Sequence, residues 1–144
     1  MFANHSGTFE AATAVLPAEQ GPPGLFPGTR VETEHGWRDV ATLCRGERIF
    51  TFDGGLKPLR DLRRDAGGAD AVRIAAGVLG CDRDTFLPPA QLVLLDTGWA
   101  IDWLGTPVAL ARAADLVGHA GIRLRAAPAR DLVSPVFAEE EIVF

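Results

Sequence analysis

Apolar and polar residues alternate along most of this chain in short runs, and the runs are separated by glycine-bearing turns. In TRVETEHGWRDV, residues 29–40, Val31 and Thr33 share one face while Arg30, Glu32 and Glu34 share the other. That period of two is the signature of a half-buried strand. His35-Gly36 is the predicted turn, and Trp37 and Val40 belong to the returning arm. ERIFTFDGGLKPL, residues 47–59, repeats the device: Ile49 and Thr51 alternate with Phe50 and Phe52, and Asp53-Gly54-Gly55 offers the positive φ angles of a tight reversal. QLVLLDTGWAIDWL, residues 91–104, predicts a third hairpin turning at Asp96-Thr97-Gly98. Its first arm is apolar on both faces, as in a central strand, and its second places Trp99, Ile101 and Trp103 on one face. IRLRA (122–126) and EEIVF (140–144) read as further strands. One short helix is predicted near residues 107–117, with Thr106 as cap, Pro107 at the first helical position and Gly118 or Gly121 as terminator.

These elements describe an all-β chain, and its bulk properties narrow what the chain does. Its 144 residues, 47% of them hydrophobic, suit one domain able to bury roughly two-thirds of its unfolded surface. The net charge of -5 has no basic stripe within it, which argues against nucleic acid as a partner. The N-terminus has neither a basic region nor the apolar run of a secretion signal, and no segment approaches the ~18 unbroken apolar residues of a membrane span. The expectation is a soluble cytoplasmic protein, or one exported by a route without an N-terminal signal, and no membrane partner. No internal repeat is evident. PAEQGPPG, residues 17–24, breaks any regular element, so residues 1–24 read as a leader with a Pro/Gly-rich linker and residues 25–144 as the domain.

The order of these pieces also carries a family resemblance. LFPGTRVETEHGWRDVATLCRGERIFTFDGG, residues 25–55, resembles the opening of Hint domains, the hedgehog and intein fold, and in particular a bacterial branch of it. AVRIAAGVLG, LPPAQLVLL, PVALARAADLVG and the closing EIVF are similar to later blocks of that branch, in the same order. The resemblance implies an all-β, pseudo-twofold, horseshoe-shaped domain that rearranges the peptide bond at its own N-terminal edge. In the family a Cys or Ser at the first position attacks the preceding carbonyl, which requires a lone pair on sulfur or oxygen. A His in a later block protonates the departing amine.

The positions that match those roles carry other residues. Leu25 stands at the nucleophile position, Gln91 at the block histidine and Glu140 at a further family histidine. A leucine has no attacking atom, and a glutamine exchanges no proton near neutral pH. The resemblance therefore implies a catalytically degenerate member, retained as a binding or scaffold module for an unidentified protein partner. The alternative is autoprocessing near residues 24/25 through a non-standard nucleophile, Thr29 or Cys44. Neither reading calls for a cofactor or a metal. Cys44 and Cys81 are too far apart for a ligand pair and read as reduced, small core residues. Asp82 and Asp84 read as a solvated loop; Arg60, Arg63 and Arg64 as a solvent-facing strand end interleaved with Asp61 and Asp65; and Glu139–Glu141 as a solvated strand edge. Trp99 and Trp103 read as a buried strand face, with an exposed recognition stripe as the other possibility.

Overall fold

A computed structural model describes residues 2–4, 21–52, 54–96, 108–139 and 141–143 of the chain. Among these residues the regular structure is strand, apart from two one-turn 3-10 helices, and all strand pairs are antiparallel. The first two predicted hairpins are present. β2 (Arg30–Thr33) pairs with β3 (Gly36–Asp39), and β4 (Arg48–Thr51) pairs with β5 (Gly55–Pro58). Val31, Thr33, Ile49 and Thr51 are the buried members, as the alternation requires. The first turn falls one residue earlier than predicted, on Glu34-His35, because Thr33 pairs with Gly36 and so makes Gly36 the first residue of the returning strand. The Thr33 hydroxyl donates to the Gly36 carbonyl at 2.7 Å and accepts from the His35 N–H at 3.1 Å, which pins that register.

Further along, β6 (Asp61–Ala66) pairs with β12 (Asp131–Val136) over six residues, forming a separate two-stranded ribbon. β7 (Asp70–Ile74) lies between β8 (Thr85–Leu87) and β11 (Ile122–Ala126) in a three-stranded sheet. The largest sheet has eight strands. Its path runs β10 (Val108–Arg112), β9 (Leu92–Asp96), β1 (Phe2–Asn4), β13 (Glu141–Val143), β4, β2 and β3, with β5 alongside β4.

Three expectations are corrected by this arrangement. The predicted helix at 107–117 is instead strand β10 followed by a one-turn 3-10 helix, Ala113–Leu116. Val108–Arg112 pairs residue for residue with Asp96–Leu92, and long-range ladder pairing overrides the intrinsic helix preference of an Ala-Leu-Ala-Arg run. Second, Glu141 is not on a solvated edge: it is 8% exposed in a strand flanked on both sides, with its carboxylate 3.8 Å from Lys57 Nζ. Third, Cys44 is exposed rather than in the core, while Cys81 is partly buried against it. The turn residues Asp53, Thr97 and Gly98, the arm bearing Trp99, Ile101 and Trp103, and Glu140 lie outside the described residues.

Although the linker composition sets residues 1–24 apart in the sequence, Phe2–Asn4 form a strand inside the largest sheet. Phe2, Ala3 and Asn4 pair with Val143, Ile142 and Glu141 on one side, and Phe2 and Ala3 pair with Val93 and Leu92 on the other. The main core joins Leu25, Val40, Ile49, Leu87, Leu116 and Val133, among others, across the three sheets, and a smaller cluster of Phe26, Ala71 and Leu132 lies beside it.

Candidate functional site

The Pro-Gly turn after residue 25 determines where the site is. The Thr29 N–H donates to the Phe26 carbonyl at 3.0 Å, closing a turn with Pro27 and Gly28 at its centre. Pro27 presets the first φ and Gly28 supplies the positive one, φ +94. The turn is fixed to its neighbour by Asp39, whose Oδ1 accepts from the N–H groups of Gly28 and Ala41, each at 2.9 Å, and by the Val40 N–H donating to the Thr29 carbonyl at 2.8 Å.

This anchoring sends the preceding residues inward. Leu25 forms an antiparallel bridge with Val133: its N–H donates to the Val133 carbonyl at 2.9 Å, and its carbonyl accepts from the Val133 N–H at 2.8 Å. The leucine side chain is 3% exposed and belongs to the main core; Phe26, 2% exposed, enters the smaller cluster. Gly24 is buried with φ +152, and a β-carbon built on it would stand 3.1 Å from both Leu132 Cβ and Ser134 Oγ. A side chain there would be strained by the positive φ and would need Leu132 or Ser134 to give way by a few tenths of an ångström.

Two polar side chains face this segment. Gln91, buried at 1% exposure, accepts the Gly24 N–H on Oε1 at 2.8 Å and donates from Nε2 to the Leu92 carbonyl at 3.1 Å. Its own backbone is held by the Pro88 carbonyl, which accepts its N–H at 3.0 Å, and by the Ala113 N–H, which donates to its carbonyl at 2.9 Å. The second is Ser134 on β12. Its hydroxyl is buried and makes no hydrogen bond among the described residues.

Of the residues singled out in the sequence, the structure thus brings Leu25 and Gln91 to one place. Thr29 is half-buried on the far side of the turn, where its backbone rather than its hydroxyl is engaged. Cys44 lies at the surface, with Sγ 3.8 Å from the Thr42 carbonyl and its N–H on Glu47 Oε2 at 3.0 Å. Glu140 lies outside the described residues. Among the described residues no group of three or more His, Cys, Asp or Glu side chains is placed to hold a metal ion. Sequence reasoning placed the junction at residues 24/25 but missed the packing of Gly24 against Leu132 and Ser134. Nothing local in DLVSPV marked Ser134, whose strand neighbours Val133 and Pro135 are buried in the structure.

A cleft of about 530 Å³ opens beside the turn, lined by Phe26, Thr29, Trp37, Cys81, Asp84 and Phe86 among others. Trp37, 56% exposed, stands at this cleft. Asp84, at the edge of this cleft, is tied to its own sheet. It accepts the Ala76 N–H at 3.0 Å and two bonds from the Arg73 guanidinium at 2.9 and 2.6 Å. The Ala76 N–H first, and the Arg73 guanidinium after it, hold this carboxyl below the ordinary aspartate value of 3.8. Because the folded value is the lower one, the stabilisation is present above 3.8 and is lost as pH falls through the folded-state value. Asp84→Asn should therefore be less stable than wild type near neutral pH, and the gap should narrow as the pH falls below 3.8, as read by urea unfolding across that range. A gap that persists undiminished in acid would show that the ionised carboxylate is not the stabilising form.

Compared with known proteins, the chain matches a family model described as Hint domain over residues 23–144. No curated protein matches it, and no solved structure does.

Proposed function

The chain belongs to the Hint domain family, and on that premise we propose that this member keeps its N-terminal peptide bond intact and serves as a binding or scaffold module. One observation carries the reading. Leu25, at the position from which the family's reaction starts, is a hydrocarbon buried in the main core, with both of its backbone hydrogen-bonding groups engaged by Val133. The family chemistry needs a sulfur or oxygen there, and no rearrangement of a leucine supplies one. Gln91 reinforces the point. It grips the Gly24 N–H as an acceptor, which orients the segment, but a carboxamide hands no proton to a departing amine. The bond is held and not opened.

Cleavage through Thr29 or Cys44 has less support. Thr29 lies beyond the Pro-Gly turn from the 24/25 bond, and Cys44 is an exposed thiol whose Sγ faces the Thr42 carbonyl, which is no base, while Glu47 engages its backbone N–H. A binding role fits the cleft next to the turn, where an exposed tryptophan offers the amphipathic contact area that interfaces favour.

The purified full-length chain, incubated with dithiothreitol and separately with hydroxylamine at neutral pH, should retain a single intact mass by mass spectrometry. Appearance of a fragment corresponding to residues 1–24 would overturn this reading.

A further inference from the structure

We propose that the cleft beside the Pro-Gly turn is a strand-addition site: it takes an extended acidic peptide, laid as a further strand on the open edge of β8, with Arg30 and Trp37 facing it from the neighbouring sheet. The inference rests on the reading above, that this domain binds a partner, and it names the chemistry of that partner.

The ladder fixes which peptide groups are free. The Ala75 N–H donates to the Gly121 carbonyl and the Ala127 N–H to the Ala69 carbonyl, each at 2.8 Å, at the two ends of the β7–β11 pair. Backbone bonding alternates in direction along an antiparallel strand, so Arg73 bonds toward β11 while Val72 and Ile74 bond toward β8. Their partners Leu87 and Thr85 are thereby turned inward. Phe86, between them, directs its N–H and carbonyl to the outer edge, where neither meets a partner among the described residues. The cleft of about 530 Å³ lies along this edge. Arg83, Asp84, Thr85 and Phe86 all line it, and successive side chains point to opposite faces, so a cleft that meets each of them follows the edge and not one face. An uncovered edge is a template for another strand.

Charge and walls narrow the occupant. Among the charged side chains that line the cleft, Asp84 is held by Arg73, and Asp82 and Arg83 stand 3.4 Å apart. The guanidinium of Arg30 is exposed and has no ion pair or hydrogen bond among the described residues, Glu32 on the same face included. The charge left over is positive, and a carboxylate on the incoming strand would complement it. Trp37 shares the outer face of its hairpin with Arg30, because it pairs with Glu32 while Val31 and Thr33 face the core, and it gives the strand an amphipathic surface to lie against. Another wall is locked in place. Leu79 holds φ +52, a left-handed conformation that leucine seldom adopts, in a turn closed by the Cys81 N–H donating to the Val78 carbonyl at 3.0 Å and the Gly77 N–H donating to the Cys81 carbonyl at 2.7 Å. A walled cleft of this volume has room for a few residues of one strand, which favours a peptide over the sheet of a second copy.

The test uses the full-length, isotope-labelled chain and a blocked synthetic peptide of alternating valine and glutamate, titrated to about 1 mM and followed by NMR. The amide signals of Thr85 and Phe86 and the indole signal of Trp37 should shift saturably. The same peptide with lysine in place of glutamate should bind roughly fivefold or more weakly. With every backbone nitrogen methylated, the acidic peptide should bind roughly tenfold or more weakly, because it then has no N–H to donate to an edge carbonyl. Arg30→Glu, at an exposed position, should reverse the preference between the acidic and basic peptides. The proposal is overturned by the absence of a saturable shift, by shifts confined to the other outer strands β3, β10 or β11, by equal binding of the acidic and basic peptides, or by equal binding of the methylated one, which would make the cleft a side-chain pocket. The mass of the chain, measured in the same samples, keeps the two readings apart: an intact chain that binds no peptide counts against the edge site alone, and cleavage at 24/25 counts against the retained bond alone.

Discussion

Leu25→Ala should lower the unfolding free energy by about 2–5 kcal/mol, the range for truncating a buried leucine in a core that relaxes only in part. Urea unfolding followed by tryptophan fluorescence checks it, as a lower midpoint with an unchanged slope. The expectation follows from the 3% exposure of Leu25 and its place in the cluster with Val133. Its size matters because a domain of this length has only about 5–15 kcal/mol of net stability to lose. A change below about 1 kcal/mol would put residue 25 outside the core, typical of a surface substitution. The prediction also bears on the history of the position. A residue that must reach back to the preceding carbonyl has to keep its reactive atom free, whereas this one is bound into the packing of the interior.

Gly24→Val should cost about 2–6 kcal/mol, from a strained backbone at about 1–3 and from overpacking at about 1–3. The steric part arises because the added β-carbon would lie 3.1 Å from Leu132 Cβ and Ser134 Oγ, both on residues at 0–1% exposure. Gly28→Val separates the two contributions. Gly28 has φ +94 but nothing within 4 Å of its missing β-carbon, so only the backbone part should appear, about 1–3 kcal/mol. If the two variants were equally destabilised, Ser134 and Leu132 would not be pressing on Gly24, and the close approach on which the site depends would be lost.

How far the chain could be read before folding depended on whether the pattern was local. Val31, Thr33, Ile49 and Thr51 alternate within single strands, and each is buried as the alternation demands. Leu25 and Gln91 were reachable through family resemblance, since FPGT fixes one register and LPPAQLVLL the other. What the sequence hid was non-local. PVALAR satisfies a helix by composition, and only its ladder with β9 makes it a strand. Glu141 looks solvated within an acidic run until neighbours cover both sides of its strand. Ser134 has no local mark of function at all; it becomes conspicuous only because β12 carries it past a glycine more than a hundred positions earlier in the chain.

The strand formed by Phe2–Asn4 has a practical corollary. Because β1 is hydrogen-bonded between β9 and β13, severing the backbone after Gly24 would not by itself set the amino-terminal piece adrift. The two parts would remain one particle on a gel-filtration column and come apart only in denaturant. A nick at that junction would thus convert a single polypeptide into a non-covalent heterodimer of a short peptide and its receptor.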